Sequence, residues 1–187
     1  MNFKKEVLRK SLHLPGVLFI VSAHYHYWAS LLILAFLVVT YFISYYLQKT
    51  RGKGLPVFGT LTQFLKRDEE LDLGPPLLGL GILFSLLFFK SSIATCAILQ
   101  VCVADTTACL SGKYFGKTKV FYSPKKSYLG CSIFFFTAFL LQLPFIGLFP
   151  AFILAFIGMF LESLPFGAWD NFLIPVGVSF AAVFLGI

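Results

Sequence analysis

The stretch SSIATCAILQVCVADTTACLSG, residues 91–112, decides the fold of this chain. Asp105 is its only charged residue, and it lies deep within a run that is otherwise apolar or weakly polar. A carboxylate in an apolar membrane span costs about 2.5 to 3.5 kcal/mol on insertion scales, so such a residue faces a partner, a cavity or a metal rather than lipid. The stretch therefore predicts a membrane helix that carries a functional carboxylate.

The composition of the whole chain also favours a membrane protein. Of its 187 residues, 58% are hydrophobic and 12% are charged, and the mean hydropathy is +0.87. This is too little polar surface to cover a soluble globule of that size. We expect an all-α, polytopic transmembrane helical bundle that forms a single integral membrane domain over residues 1–187. The basic start leads into a segment without a small-residue cleavage site, so we expect the first span to be retained.

Intervals without Lys, Arg, Asp or Glu define the expected spans. Residues 11–48 form an uncharged run of 38, which is enough for two crossings of roughly 20 residues each, with the aromatic cluster at 24–28 as the turn. Further crossings are predicted over 73–89, over 91–112, twice within 127–161 with a break at 144–150, and over 171–187. The sequence thus predicts about seven segments. The first and the sixth are short, and their entry into the bilayer without crossing is the alternative.

The basic residues predict the orientation of these segments. With a cytoplasmic N-terminus, 14 of the 15 Lys and Arg residues lie inside, Lys66 and Arg67 among them, and Lys90 lies outside. This asymmetry follows the positive-inside rule. The net charge of +7 suits anionic lipid headgroups and a nucleoside triphosphate. We expect no nucleic-acid partner, because the basic loops contain few interleaved aromatic residues.

Two sets of polar or small residues recur at helical spacing. Glu6, Arg9, Lys10 and His13 are three and four residues apart, so they share one face of a helix. Arg9 or Lys10 is a candidate to hold a nucleotide, and His13 or a carboxylate is a candidate to accept a hydroxyl proton; an interfacial anchor with snorkelling cations is the alternative.

A second helical face begins at Asp105 and continues through Ala108, Cys109, Gly112 and Gly116. Close packing between helices would explain its glycines, although it would not explain Asp105.

A lysine-rich loop follows that second face. Residues 113–126 contain five lysines, and glycines precede and interrupt them. The sequence is not a P-loop, because Ser111 occupies the position of the first glycine and no strand precedes it. Backbone N–H groups and lysines can still hold phosphates, whereas lysines that only set the membrane orientation are the alternative. The candidates are Gly112, Gly116, Lys117, Lys125 and Lys126.

The last polar group is ESLPFGAWDN, residues 162–171. Glu162 ends the sixth expected span, where it needs a cation partner or a metal, and Asp170 with Asn171 opens the seventh. Asp170 could also be a helix N-cap. Together with Asp105, the carboxylates of Glu162 and Asp170 could bind Mg²⁺ or Mn²⁺, since such ions take few carboxylates in addition to substrate phosphates.

These motifs carry a resemblance to a known family. The Glu6 to His13 start, DTTACLSGKYFGK at 105–117, PKKSYLGCS at 124–132 and ESLPFGAWDNFLIP at 162–175 are similar to the phytol kinase, dolichol kinase and CTP-dependent diacylglycerol kinase family. The resemblance implies a membrane-embedded enzyme that transfers the terminal phosphate of CTP to a lipid alcohol. Leu129 departs from the many relatives that carry Glu there. Roles are implied for Asp105, Lys126, Glu162, Asp170 and Asn171, and Ser127 and Gly130 belong to the same blocks.

Two alternatives to a kinase stay open. SPKKS at 123–127 also resembles phosphatidate cytidylyltransferases, which use CTP but would attack its α-phosphate. A transporter would explain Asp105 as an ion-path residue, although it leaves the 162–171 block without a purpose. The start and the 162–175 block favour the kinases.

The resulting expectations are an active site on the cytoplasmic side, a divalent cation, CTP, a lipid alcohol and membrane lipids as partners. The candidate catalytic residues are Asp105, Lys126, Glu162 and Asp170; the candidate nucleotide- and substrate-binding residues are Arg9, Lys10, His13, Gly112, Gly116, Lys117, Lys125, Ser127, Gly130 and Asn171; and the candidate metal ligands are Asp105, Glu162 and Asp170.

Overall fold

The computed structural model describes residues 3–64 and 73–187, and this part of the chain is mostly helical. Lys66 and Arg67, two of the cations expected in the cytoplasm, lie outside the described residues. The helices are α1 (Phe3–Ser11), α2 (Leu18–Tyr25), α3 (Tyr27–Arg51), α4 (Pro56–Phe64), α5 (Gly74–Phe88), α6 (Ser91–Leu99), α7 (Asp105–Tyr114), α8 (Tyr128–Ile146), α9 (Leu148–Ser163) and α10 (Asp170–Phe184). The predicted helical fold class is confirmed.

The centre of the bundle is one continuous helix from Ser91 to Tyr114. It consists of α6 and α7 joined by a π-helical turn, Gln100–Ala104, in which the backbone N–H of Asp105 bonds to the carbonyl of Gln100. Isoleucine, alanine and cysteine side chains of α6 and the π-helical turn are almost fully buried, and α5, α8 and α10 pack around them. π-Helical turns of this kind are frequent at functional sites.

In the described part of the chain, four helices are long and apolar enough to cross a membrane: Tyr27–Arg51, Ser91–Tyr114, Tyr128–Ile146 and Gly167–Phe184. Two further apolar helices, Gly74–Phe88 and Leu148–Ser163, are shorter. The first expected crossing is divided between a 3-10 turn, Leu14–Val17, and α2, whose eight residues span only about 12 Å at 1.5 Å each. The count of seven segments and their orientation therefore stay predictions.

The outer surface of the bundle carries large apolar side chains. Leu32 and Phe36 of α3 are 70% and 68% exposed, and Phe136 of α8 and Phe160 of α9 are also exposed. Contiguous apolar surface of this kind is rare on soluble monomers and marks contact with lipid or protein. Together with the four long apolar helices, it indicates a membrane protein.

The helix breaks occur where the sequence predicts them. His26, within the aromatic cluster, separates α2 from α3 in a non-helical conformation. Gly147 separates α8 from α9 with a φ of 77°, a left-handed conformation that favours glycine. Pro144 lies inside α8 just before this break.

The lysine-rich segment forms a β-hairpin, whereas its sequence predicts a loop. β1 (Lys119–Val120) pairs antiparallel with β2 (Ser123–Ser127), with Lys119 opposite Ser127 and Val120 opposite Ser123. Val120 and Ser123 are buried, so the hairpin packs against the bundle. Its strands are too short for a recognisable alternation of polar and apolar residues, and for this reason the pattern predicted a loop.

Candidate active site

A cavity of about 590 Å³ lies where α1, α7, the hairpin and the α9–α10 junction meet. This volume is within the range of small-molecule sites. Eleven of the fourteen predicted site residues line it. The three others, His13, Gly116 and Lys117, lie outside its wall. The cavity-lining members of the predicted set are Arg9, Lys10, Asp105, Gly112, Lys125, Lys126, Ser127, Gly130, Glu162, Asp170 and Asn171.

The polar face of α1 is turned toward α7. Glu6, Arg9, Lys10 and His13 are all buried, so an anchor with cations at the membrane surface does not fit. Arg9 Nη2 donates to Glu6 Oε1 at 2.5 Å, and Lys113 Nζ of α7 donates to Glu6 Oε2 at 2.9 Å. Burial would raise the pKa of Glu6, but the adjacent Arg9 and Lys113 lower it to about 2. Glu6 thus fixes two cations at the cavity.

Asp105 forms a buried ion pair with α1. Lys10 Nζ donates to Asp105 Oδ2, and both side chains are almost fully buried. Burial disfavours the charged ammonium, yet the neighbouring Asp105 carboxylate raises the pKa of Lys10 overall. Asp105 Oδ1 is buried and has no hydrogen-bond partner among the described residues. One carboxylate oxygen is therefore held in place while the other is available for a ligand.

Lys126 joins the two carboxylates of the last polar block. Its Nζ lies 2.5 Å from Glu162 Oε1 and 3.2 Å from Asp170 Oδ2. Although burial favours the neutral amine, Glu162 and Asp170 raise the pKa of Lys126. Asp170 is already the first residue of α10, whose N-cap is Trp169, so the capping alternative for Asp170 is wrong.

His13 holds Asn171 from behind the cavity wall. His13 Nε2 lies 3.1 Å from Asn171 Oδ1, and Asn171 Nδ2 donates to the carbonyl of Gly74 at 3.3 Å. Because the amide nitrogen is committed to Gly74, we assign the oxygen as the acceptor and His13 Nε2 as the donor. His13 therefore orients Asn171 and does not face the cavity.

Three predicted glycines permit close packing. A Cβ on Gly112 would lie 3.2 Å from Gly130 Cα, and one on Gly130 would lie 3.0 Å from the carbonyl oxygen of Ala108. Ser127 Oγ accepts from the Gly130 N–H and donates to the Gly112 carbonyl, which joins the start of α8 to α7. Gly116 packs against Ser127 outside the cavity wall. The helix-packing explanation thus accounts for these glycines, and the arrangement gives Gly116 and Lys117 no contact with a ligand in the cavity.

The three predicted metal ligands do not form a metal centre. Asp105, Glu162 and Asp170 line the cavity, but each is paired with a lysine. Within residues 3–64 and 73–187, no group of three His, Cys, Asp or Glu side chains is arranged to hold an ion. A preformed three-carboxylate site therefore does not fit. The unpartnered Oδ1 of Asp105 fits a single protein ligand to an ion that arrives with substrate phosphates.

Three charged residues of the cavity lining were absent from the predicted set: Glu6, Lys113 and Lys119. The spacing of Glu6 to Arg9 was a usable signal, whereas the position of Lys119 depends on the hairpin. Among the described residues, the cavity is lined by six basic and four acidic side chains, an excess of two positive charges. Such an excess attracts a polyanion. The basic members are Arg9, Lys10, Lys113, Lys119, Lys125 and Lys126, and the acidic members are Glu6, Asp105, Glu162 and Asp170.

A 77-residue segment of the chain is 40% identical to phytol kinase 1, a chloroplastic protein of Arabidopsis thaliana. The segment covers 40% of this chain and 25% of that protein, so the match extends over about a quarter of the relative's length. No family model matches the chain. No solved structure matches it either. The similarity supports at most a relationship to polyprenol or phytol kinases.

Proposed function

We propose that this protein is a membrane-embedded lipid-alcohol kinase. It transfers the terminal phosphate of CTP, or of another nucleoside triphosphate, to a polyisoprenoid alcohol of the phytol, dolichol or polyprenol type, or to diacylglycerol. The observation that carries the proposal is the pairing of Lys126 with Glu162 and Asp170 in the same cavity as the Lys10–Asp105 pair. The partial similarity to a phytol kinase supports the same class of enzyme.

The nucleotide phosphates bind to the cationic part of the cavity. Lys113, Lys119 and Lys125 are exposed to solvent and border the cavity, whereas Lys126 is partly buried within it. The positive charges thus extend from the solvent-exposed border of the cavity to Lys126 inside it, and they attract an anion into the cavity. Lysines act on phosphates as point charges, so the arrangement suits a flexible triphosphate chain.

Phosphoryl transfer requires a base near the acceptor hydroxyl and positive charge around the transferred group. One carboxylate of the Lys126 cluster, Glu162 or Asp170, accepts the proton of the lipid hydroxyl, because both line the cavity beside Lys126. The alcohol oxygen then forms a bond to the terminal phosphorus, and the bond from that phosphorus to the bridging oxygen breaks to release CDP. Lys126 and Lys10 balance the charge that develops on the phosphoryl oxygens.

A divalent cation, Mg²⁺ or Mn²⁺, belongs to this proposal as a companion of the nucleotide. Asp105 Oδ1 is the protein oxygen available to hold it, and the bound ion would neutralise phosphate charge. Dependence of nucleotide binding on added Mg²⁺, measured with wild type and Asp105→Asn, tests this role.

The proposed orientation places the cavity on the cytoplasmic side. In the seven-segment arrangement, the cytoplasm contains the N-terminus and the basic groups at 49–67 and 113–126. The cavity then opens to the compartment in which CTP is available. Fourteen of the 15 basic residues of the sequence support this orientation.

A cytidylyltransferase is the second candidate, because the SPKKS segment forms β2 and its two lysines line the cavity. The two reactions differ in the phosphorus that is attacked. Purified protein in liposomes is given CTP labelled at the γ or the α position, together with a panel of lipid alcohols and phosphatidate. The kinase transfers γ label to the lipid and releases CDP. Formation of a CDP-lipid from phosphatidate, with no γ label in lipid, would reject the kinase.

A further inference from the structure

The cavity has walls of two chemical kinds. α1, α7 and the hairpin supply eight of its ten charged side chains, and the other two are Glu162 and Asp170. The stretch Leu164–Trp169, between α9 and α10, has no charged residue, and it contributes Pro165, Gly167 and Ala168 to the lining. We call this stretch the neutral loop. These three lining residues carry no charge and form no ion pair.

The outer side of the neutral loop is aromatic. Phe166 and Trp169 are 41% and 54% exposed and do not belong to the cavity lining. The loop lies between two apolar helices, and aromatic residues at such helix ends favour the interface between lipid and water. Gly167 has a φ of 66°, and no atom lies within 4 Å of the position where its Cβ would be. The loop therefore has an unobstructed face next to the expected bilayer surface.

We propose that the neutral loop is the entry by which the hydrocarbon chain of a lipid alcohol reaches the cavity from the bilayer. This inference rests on the proposed kinase function and adds to it the path of the acceptor. A hydrocarbon chain that entered past the exposed lysines Lys113, Lys119 and Lys125 would displace water from them without replacing those hydrogen bonds. Contact with Pro165, Gly167 and Ala168 removes apolar surface from water without that penalty.

The ends of the neutral loop support the same path. Glu162 precedes it and Asp170 follows it, and both carboxylates hold Lys126. A chain that lies across the loop thus directs its terminal hydroxyl toward Lys126 and the adjacent Asp105, which line the same cavity. The nucleotide approaches from the lysine side, so the two substrates do not compete for one opening.

The first experiment narrows the entry with Ala168→Phe. We compare kcat/KM for a long-chain prenyl alcohol in liposomes with kcat/KM for a water-soluble short-chain prenyl alcohol. We expect the ratio of long-chain to short-chain kcat/KM to fall about tenfold in Ala168→Phe and to stay within about twofold in Ala168→Ser, because only the larger side chain obstructs the path. Ala29→Phe, at an exposed alanine of α3, is the matched control for adding a phenylalanine to the surface.

Binding of a fluorescent CTP analogue verifies that Ala168→Phe is folded. An equal loss for both alcohols in a variant that still binds the analogue would overturn the entry. If Ala168→Phe does not fold, Ala168→Leu is used, with a smaller expected change in the same ratio.

A second experiment separates the entry from the proposed function. A long-chain alcohol with a diazirine in its chain is photolysed with wild-type protein, and the attached peptide is identified by mass spectrometry. Attachment within Leu164–Trp169 supports the entry even if no phosphate is transferred. Attachment confined to α1 or the hairpin would overturn it, even if the protein proves to be a kinase. Failure of the γ-label transfer, by contrast, would reject the kinase alone.

Discussion

The hydroxyl of Tyr122 lies 2.8 Å from Ser163 Oγ. Tyr122 is in the turn of the hairpin, and Ser163 is the last residue of α9, directly after Glu162. The hydrogen bond therefore joins the hairpin that carries Lys126 to the helix that carries its partner Glu162. It therefore fixes the position of the hairpin lysines relative to the cavity.

Removal of this bond by Tyr122→Phe tests whether the hairpin position matters for nucleotide binding. We expect the KM for the nucleotide to rise about two- to tenfold with little change in kcat, in line with the loss of one hydrogen bond of about 0.5 to 1.5 kcal/mol. Tyr46→Phe, at an exposed tyrosine of α3, is the control. An unchanged KM in Tyr122→Phe would show that the hairpin is held by its other contacts.

The Lys10–Asp105 pair allows structural and chemical effects to be separated. We expect Asp105→Asn to lower kcat by about 100- to 10,000-fold, because it removes the charged oxygen that is proposed to hold the cation. It also leaves Lys10 buried without its partner, which destabilises the protein by about 3 to 5 kcal/mol. The double variant Lys10→Met/Asp105→Asn should recover thermal stability in detergent without recovering activity. Recovery of both would assign Asp105 a purely structural role.

Lys126 and Lys117 provide a matched pair of lysines in one segment. Lys126 lies in the cavity between two carboxylates, and Lys117 lies outside the cavity wall. We expect Lys126→Met to lower kcat/KM by about 100-fold or more and Lys117→Met by about threefold or less. Steady-state kinetics with saturating lipid alcohol measure both. Similar effects at the two positions would indicate a general contribution of the basic segment rather than a specific role of Lys126.

The depressed pKa of Glu6 predicts a pH dependence of stability. Since the pKa of Glu6 falls from 4.5 to about 2 on folding, the unfolded chain binds the proton more tightly. Glu6 then stabilises the fold fully above pH 4.5, and this contribution is lost as the pH falls toward 2, by a few kcal/mol in order of magnitude. Glu6→Gln should lose less stability over that interval than wild type. If the melting temperatures of the two proteins in detergent fell equally with pH over that interval, the ion pairs of Glu6 would be contradicted.

Sidedness is tested by cysteine labelling of intact cells or sealed vesicles. All four native cysteines are free and are first replaced. Phe121→Cys is the appropriate reporter on the basic side because Phe121 is 85% exposed, whereas Ser123 in the same hairpin is buried. We expect an impermeant maleimide to reach position 121 from the cytoplasm and His26→Cys from the outside. The reverse pattern would overturn the orientation.

The sequence predicts some features of the site because each has a local physical signature. Asp105 is conspicuous because a carboxylate is costly in an apolar helix, and the face of Glu6, Arg9 and Lys10 follows from helical spacing. Their mutual contact is a tertiary property, and no local pattern indicates that Lys10 pairs with Asp105. The sequence predicts three carboxylates as metal ligands, whereas the fold pairs each of them with a lysine.

The hairpin and the π-helical turn were both missed for local reasons. SPKKS contains a proline and adjacent lysines, so its residues favour a loop, and its strand conformation depends on pairing with Lys119 and Val120. The π-helical turn lies in an apolar run whose residues are compatible with a regular α-helix. The contact between Glu162 of α9 and Lys126 joins residues that are far apart in the sequence, so no local sequence pattern predicts it.

The π-helical turn rotates the side chains of α7 about the helix axis relative to those of α6. One additional residue in a helix rotates everything after it by about 100° relative to a regular continuation. The half before the turn orients its side chains for packing in the bundle, and the half after it orients Asp105, Ala108, Cys109 and Gly112 toward the cavity. Substitutions that refine the bundle can therefore accumulate in one half without changing the direction of the reactive carboxylate in the other.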